Sequence, residues 1–241
     1  DPSRLLEIDS VPDEELLFAR RGQKKFLLDY ANSQSQRALA NKTLTIGFAR
    51  RAAEYKRARL IFHDKERLVK LAKGKVQFIF AGKAHPRDDH GKEILKEIVL
   101  QAKELLGDVK IVFLENYNMW LGNLITAGVD VWLNTPLRPN EASGTSGMKA
   151  TLNGVPNLSI LDGWWAEACE DGVNGWAIGD ADNANDAADA DHLYRLLEEQ
   201  VIPTYYDDQA KWLGMVRESI KTGVQFTGTR MVQDYLKEYY K

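Results

Sequence analysis

Five short runs in this 241-residue chain are apolar at nearly every position: Leu44 to Phe48, Val76 to Phe80, Lys110 to Leu114, Val129 to Leu133 and Asn157 to Leu161. A strand with one wet face alternates apolar and polar residues, whereas a strand covered on both faces does not, so these runs predict buried parallel strands. The segments between them carry a helical period. Lys92 to Leu106 sets Ile94, Ile98, Ala102 and Leu105 on one face, and Tyr55 to Ala72 does the same with Leu60, Ile61, Leu68 and Leu71, which predicts a helix over each. Strands alternating with helices predict an α/β fold, a doubly wound, Rossmann-like parallel sheet. In such a sheet ligands gather at the carboxyl ends of the strands.

The flanks add helices. Residues 1–40 read as a lead-in helix or linker, starting near Ser10 and Pro12 with acids at Asp13 to Glu15 and an apolar side of Leu16, Leu17, Ala19, Phe26, Leu27 and Tyr30. Residues 41–241 then form the Rossmann-like domain. Near the end, Leu193, Leu196, Leu197 and Val201 predict a helix that Pro203 terminates, and two further helical segments run through Trp212, Met215, Ile220 and then Met231, Tyr235, Tyr239. A net charge of −3 argues against a general nucleic-acid surface, and no apolar run has the length of a membrane span. Cys169 is the single cysteine, which excludes an intrachain disulfide and makes a cytoplasmic location the expectation. The chain opens on Asp1 with no signal-type segment and is expected to be a fragment of something longer.

The polar motifs follow the strands. After the fourth run, NEASGTSGMKATLNG (Asn140 to Gly154) packs an acid, three hydroxyls, two glycines and a lysine between Glu141 and Lys149. Such a turn, leading into helix-compatible residues, is either a solvated loop with a helix cap or an anion site built from free N–H groups, Ser143, Thr145 and Ser146, with Gly144 and Gly147 admitting a ligand close to the main chain. Lys149 is then a phosphate counter-charge or an amine able to condense with a carbonyl. After the first run, ARRAAEYKRAR sets Arg50, Arg51, Lys56, Arg57 and Arg59 around Tyr55. At a helix N-terminus these cations oppose the dipole unless an anion sits there. His85, Asp88, Asp89 and His90 after the second run match no metal-binding template and read as a surface loop. Asp180 to Asp191 lacks the glycine and closing glutamate of a calcium loop and reads as a solvated helix entrance. No metal site is expected.

EASGTSGMK, followed by a short apolar helix and NG, resembles the pyridoxal 5'-phosphate attachment segment of the α-glucan phosphorylases of glycogen, starch and maltodextrin. RxxEYKR at Arg51, GKAHP at Gly82, DGWWAE at Asp162 and NGWAIG at Asn174 resemble the same family, and the Ser146-Gly147 pair resembles its shorter prokaryotic branch. The resemblance implies that Lys149 carries the cofactor covalently, that Thr145, Ser146 and Arg50 hold its phosphate, and that Tyr117, which closes the third run, lies beside it. It also implies that Arg51 and Lys56 are catalytic through the reacting phosphate, and that Glu141, Ser143, Gly144 and Tyr55 meet the sugar.

On this resemblance the expected activity is α-1,4-glucan phosphorolysis, in which glucan and inorganic phosphate give glucose 1-phosphate with retention. The chain would be the C-terminal half of a two-Rossmann-domain glycosyltransferase, inactive without its N-terminal partner domain. The alternatives are a glucan synthase domain using a nucleotide sugar, which the lysine motif opposes, and a catalytically silent fragment that binds cofactor or glucan only.

Overall fold

The computed structural model describes residues 2–35, 37–179 and 185–240. A short 3-10 segment, Pro2–Ser10, leads into helix α1 (Asp13–Ser35). Strands β1 (Leu44–Ala49), β2 (Val76–Ala81), β3 (Lys110–Leu114), β4 (Val131–Asn134), β5 (Asn157–Ile160) and β6 (Gly175–Ile178) follow. Between them lie α2 (Lys65–Ala72), α3 (Asp89–Glu104), α4 (Met119–Gly128), α5 (Thr145–Leu152) and α6 (Trp165–Ala168), and after them α7 (Asp186–Leu196), α8 (Ile202–Asp207), α9 (Gln209–Gln225) and α10 (Gly228–Glu238).

All six strands are parallel in the order β3-β2-β1-β4-β5-β6. The chain winds outward from β1 to β3 and then crosses back to β4, so the sheet has its switch point between β1 and β4. In doubly wound sheets ligands bind at such a point, outside the carboxyl ends of the strands. Successive side chains of a strand point to opposite faces, and both faces are covered. Phe78 and Phe80 of β2 enter one core with Phe48, Leu133 and Trp176, while Ile79 and Ala81 enter the other with Leu27, Val112, Ile125 and Trp132. Each large side chain buried this completely contributes roughly 1.5–3 kcal/mol. That double cover is why the strands carry almost no alternation.

Side-chain caps set the helix starts. Asp64, Asp88, Asn118 and Asn185 accept from the backbone N–H groups of Arg67, Gly91, Leu121 and Ala187, opening α2, α3, α4 and α7 respectively. Helix α1 packs against α4 and β3 through Leu27, Leu28 and Ala31, whereas Phe26, expected on its apolar side, is exposed. Lys24 of α1 is buried, and its ammonium donates to Asp130 before β4, to the Thr43 carbonyl at 2.7 Å and to the Tyr205 hydroxyl at 3.0 Å.

Four expectations need correction. Residues 55–72 do not form one helix: 3-10 turns at Glu54–Lys56 and Leu60–Phe62 precede α2, because Arg57 takes a left-handed conformation (φ +46) that ends the first turn. The cations after β1 therefore do not sit at a helix N-terminus. The sheet has a sixth strand, β6, inside the NGWAIG motif. Pro203 does not stop the helical path: a π turn over Leu197–Val201 widens it first, and Pro203 sits in the opening turn of α8. Of the acidic run, 180–184 lie outside the described residues, and Asp189 is buried rather than solvated. Among the described residues no helix is long and apolar enough to cross a membrane.

Candidate functional site

Three loops meet at the switch point. The loop leaving β1 carries Arg50, Arg51, Tyr55 and Lys56, the loop leaving β3 carries Tyr117, and the loop leaving β4 runs through Glu141, Ser143 and Gly144 into α5 with Thr145, Ser146 and Lys149. The site residues expected from the sequence thus lie on segments that follow the carboxyl ends of β1, β3 and β4.

The first half of the site is a buried charge cluster. Arg50 Nη2 donates to Glu141 Oε2 at 2.6 Å, and Lys56 Nζ donates to the same oxygen. All three side chains are about nine-tenths buried. Burial alone would raise the Glu141 carboxyl, but the hydrogen bond from Lys56 and the charges of Arg50 and Lys56 hold it below the usual carboxylate range. Two cations on one carboxylate leave a local excess of positive charge. Arg50 Nη1 is buried with no partner among the described residues, a donor that an incoming anion can satisfy. Lys56 also lies over the Tyr55 ring, 4.5 Å from its centroid, and exposed Arg51 comes within 3.5 Å of the Tyr55 hydroxyl.

The second half is a cleft of about 610 Å³ between α4 and α5, lined by Tyr117, Asn118, Gly122, Ser146, Lys149 and Asn153 among others. Its size suits a small ligand. Lys149 is exposed to it, and Ser146 Oγ is buried there without a partner among the described residues. Gly144 caps α5 with φ +90 and no side-chain cap, a conformation that favours glycine, so the first turn of the helix presents its own N–H groups. Thr145 opens the helix and is exposed. Tyr117 joins the two halves. Burial pushes its phenol above the ordinary value, and the charge of Arg50 opposes that shift.

Two roles read from the sequence change. Gly147 faces protein rather than ligand: a Cβ there would stand 2.5 Å from Asn157 Oδ1 and 2.9 Å from Trp164 Nε1, so this glycine lets α5 press onto β5 and the Trp164 ring. Of the five cations after β1, Arg57 and Arg59 leave the cluster. Arg57 pairs with Asp186 and Asp189, and Arg59 with Glu54 and Glu97. Asp88 caps α3, and His90 meets Glu54 at 2.7 Å.

Sequence reasoning named Asp162, which follows β5, only as the start of the DGWWAE motif and gave it no role. Its Oδ2 accepts from the Glu141 N–H at 2.9 Å and its Oδ1 from the Gly163 N–H at 2.9 Å, fixing the backbone that carries Glu141. Its position just past a strand was the available signal. A second cavity, about 580 Å³, lies near the amino ends of β1 and β4 beside Lys24, Asp130 and Tyr205, at the opposite end of the sheet from these residues.

The model of the family described as carbohydrate phosphorylase matches residues 6–175. The chain is 45% identical to the maltodextrin phosphorylase of Thermococcus litoralis, over 97% of this chain and 30% of that protein. It is 42% identical to the glycogen phosphorylase of Aquifex aeolicus, over 97% of this chain and 38% of that one. Against the glycogen phosphorylase of Mycobacterium tuberculosis the identity is 46%, over 82% of this chain and 24% of the relative. The chain thus spans 24% to 38% of the length of these relatives. The extent of these matches, across the β1 cation loop and the SGTSGMK turn, leads to one conclusion: the chain belongs to the carbohydrate phosphorylase family.

Proposed function

We propose that this chain is the C-terminal, cofactor-binding part of the catalytic unit of an α-1,4-glucan phosphorylase, which converts glucan and inorganic phosphate to glucose 1-phosphate with retention. What supports the reading is the junction of a cation cluster after β1 with a lysine-bearing cleft after β4, at the place where a doubly wound sheet binds ligands.

The residues present fit pyridoxal 5'-phosphate. Lys149 offers an amine on the cleft wall, and Ser146 Oγ and Arg50 Nη1 are buried donors awaiting an acceptor. Thr145 and Ser146 in the first turn of α5 would hold the cofactor phosphate, Arg50 would add counter-charge, and Tyr117 would line the seat beside them. When bound, the cofactor would supply acid–base chemistry through its phosphate group. Arg51 and Lys56 bind the reacting phosphate. Two like charges about 4 Å apart repel by roughly 4 kcal/mol at a protein-surface dielectric, and the cations of the β1 loop offset that repulsion. Glu141, Ser143, Gly144 and Tyr55 face the sugar.

One observation favours a silent state for the chain by itself. Glu141 already takes one hydrogen bond from each of Arg50 and Lys56 and offsets one of their two charges, so a phosphate has to share those cations with that carboxylate. The rest of the enzyme, which the relatives carry beyond the matched part, is proposed to form the other wall of the cleft. The test is glucose 1-phosphate release from maltodextrin and phosphate by the full-length protein containing this chain. Turnover that is lost in Lys149→Ala supports the reading, and turnover unaffected by Lys149→Ala overturns it.

A further inference from the structure

Arg57 follows Lys56 directly, yet its side chain goes elsewhere. With φ +46 the backbone turns at Arg57, and the buried guanidinium reaches both the loop after β4 and helix α7. Nε donates to the Thr135 carbonyl at 3.0 Å and Nη2 to the Pro136 carbonyl at 3.0 Å. Nη2 also pairs with Asp189 Oδ2 at 2.7 Å, and Nη1 with Asp186 Oδ1 at 2.8 Å, both acids belonging to α7. Thr135 answers from the other side: its Oγ1 lies 3.1 Å from both the Lys56 and the Arg57 carbonyls. The Leu137 N–H donates to the Tyr55 carbonyl at 2.6 Å. Residues 55–57 of the β1 loop are therefore zipped to 135–137 of the β4 loop, the loop that ends in Glu141.

We propose that Arg57 is a positioning residue for Lys56, setting its ammonium against the phosphate site by tying the β1 loop to the β4 loop, with Asp189 as the anchor that orients the guanidinium. This rests on the assignment of Lys56 as a ligand of the reacting phosphate. The geometry demands an arginine. A planar fork of donors reaches two carbonyls and two carboxylates at once, whereas a lysine offers one point charge to one of those directions. Asp189 is 3% exposed and Asp186 is largely exposed at its side chain, so Asp189 is the partner whose loss Arg57 feels most. The site thus draws on α7, at the far side of the sheet, although no residue of α7 reaches the crevice cluster itself.

The experiment is steady-state phosphorolysis by the full-length protein with phosphate and glucan varied separately. Arg57→Lys is expected to lower kcat/KM for phosphate on the order of 100-fold, the scale of a misplacement of about 1 Å, with the KM for glucan unchanged. Asp189→Asn and Thr135→Val shift phosphate use in the same direction by less. Thr135→Val removes only a hydroxyl, so it carries the test if Arg57→Lys does not fold. A merely structural role lowers yield and Tm and moves both substrates together. Lys56→Ala separates this inference from the assignment beneath it. If Lys56→Ala leaves phosphate use unchanged, the assignment falls and the inference with it. If Lys56→Ala impairs phosphate use while folded Arg57→Lys or Thr135→Val behaves as the parent does, or impairs both substrates equally, the positioning role is overturned.

Discussion

Glu141 and Arg50 stand 91 positions apart in the chain and meet in a 2.6 Å ion pair, which closes the loop after β4 onto the end of β1. The same carboxylate oxygen takes Lys56, so one buried acid holds two buried cations. Removing it leaves both uncompensated. Glu141→Gln is expected to destabilise the chain by about 3 kcal/mol, or about 6–12 °C in Tm for a domain of this size. Inorganic phosphate should recover more of that loss in the variant than it adds to the parent, because an anion bound only by the folded state stabilises it. Thermal melts with and without phosphate measure both, and equal phosphate effects in parent and variant would count against an anion site at Arg50 and Lys56.

The pH dependence follows with a definite sign. Contact with Lys56 and Arg50 outweighs burial and holds the Glu141 carboxyl below its ordinary value of 4.5. A folded pKa lower than the unfolded one contributes stability that is complete above the unfolded pKa and lost as pH falls through the folded pKa. Acid denaturation of the parent should therefore include a component below about pH 4.5 that Glu141→Gln lacks. Denaturant midpoints measured from pH 6 down to 3 report it as parent and variant curves that converge.

Arg51 and Lys56 differ in burial, which separates their effects on stability from those on activity. Arg51 is exposed, and its contact with Tyr55 at 3.5 Å is at the limit of a hydrogen bond, so Arg51→Ala should change stability by no more than about 0.5 kcal/mol. In the full-length protein it should still impair phosphate use far more than glucan binding. Lys56→Ala should impair phosphate use as well, with a clear loss of Tm. Unchanged phosphate kinetics in Arg51→Ala would remove that residue from the site.

Gly147→Ala tests the seat of the lysine-bearing helix. The added methyl group would stand 2.5 Å from Asn157 Oδ1 and 2.9 Å from Trp164 Nε1, both fixed in the core. Overpacking of this kind costs about 1–3 kcal/mol. Because α5 carries Ser146 and Lys149, the full-length variant should also bind cofactor more weakly. Full stability and full cofactor occupancy would contradict the packing described for α5.

How much of this was legible in the sequence depends on where each determinant lies. The five expected strands were readable because Phe78, Ile79 and Phe80, like their counterparts in other strands, are buried on both faces and so lack alternation. Strand β6 was not, since Gly175 to Ile178 is short and framed by glycines. The helix expected from Tyr55 has the right apolar period, but Arg57 breaks it, and Arg57 is held in its left-handed turn by Thr135, Pro136, Asp186 and Asp189, all distant in sequence. The site residues were legible as types that follow strands. Their pairing was not, because Glu141 meets Arg50 and Lys56 only through the sheet order that brings β1 beside β4.

The 241-residue chain by itself should fold and not turn over glucan. Its two large apolar clusters among the described residues are formed by the sheet and the helices that cover it. Catalysis needs both reactants positioned, a contribution worth roughly 7–11 kcal/mol of barrier, and if the rest of the enzyme forms the other wall of the cleft, as proposed, the chain by itself forfeits most of it. Circular dichroism with a cooperative melt, alongside a null assay for glucose 1-phosphate release in added pyridoxal 5'-phosphate, is the expected pair of results. Robust turnover would mean that this chain holds a complete active site.

The central claim is that the turn from Glu141 to Lys149 is a cofactor seat whose lysine makes the covalent link. Borohydride reduction of the cofactor-loaded full-length protein, followed by proteolysis and peptide mass mapping, tests it most directly. The account predicts a single labelled peptide, with the pyridoxyl group on Lys149 and the label abolished in Lys149→Ala. A label on another lysine, or labelling that survives Lys149→Ala, would contradict it.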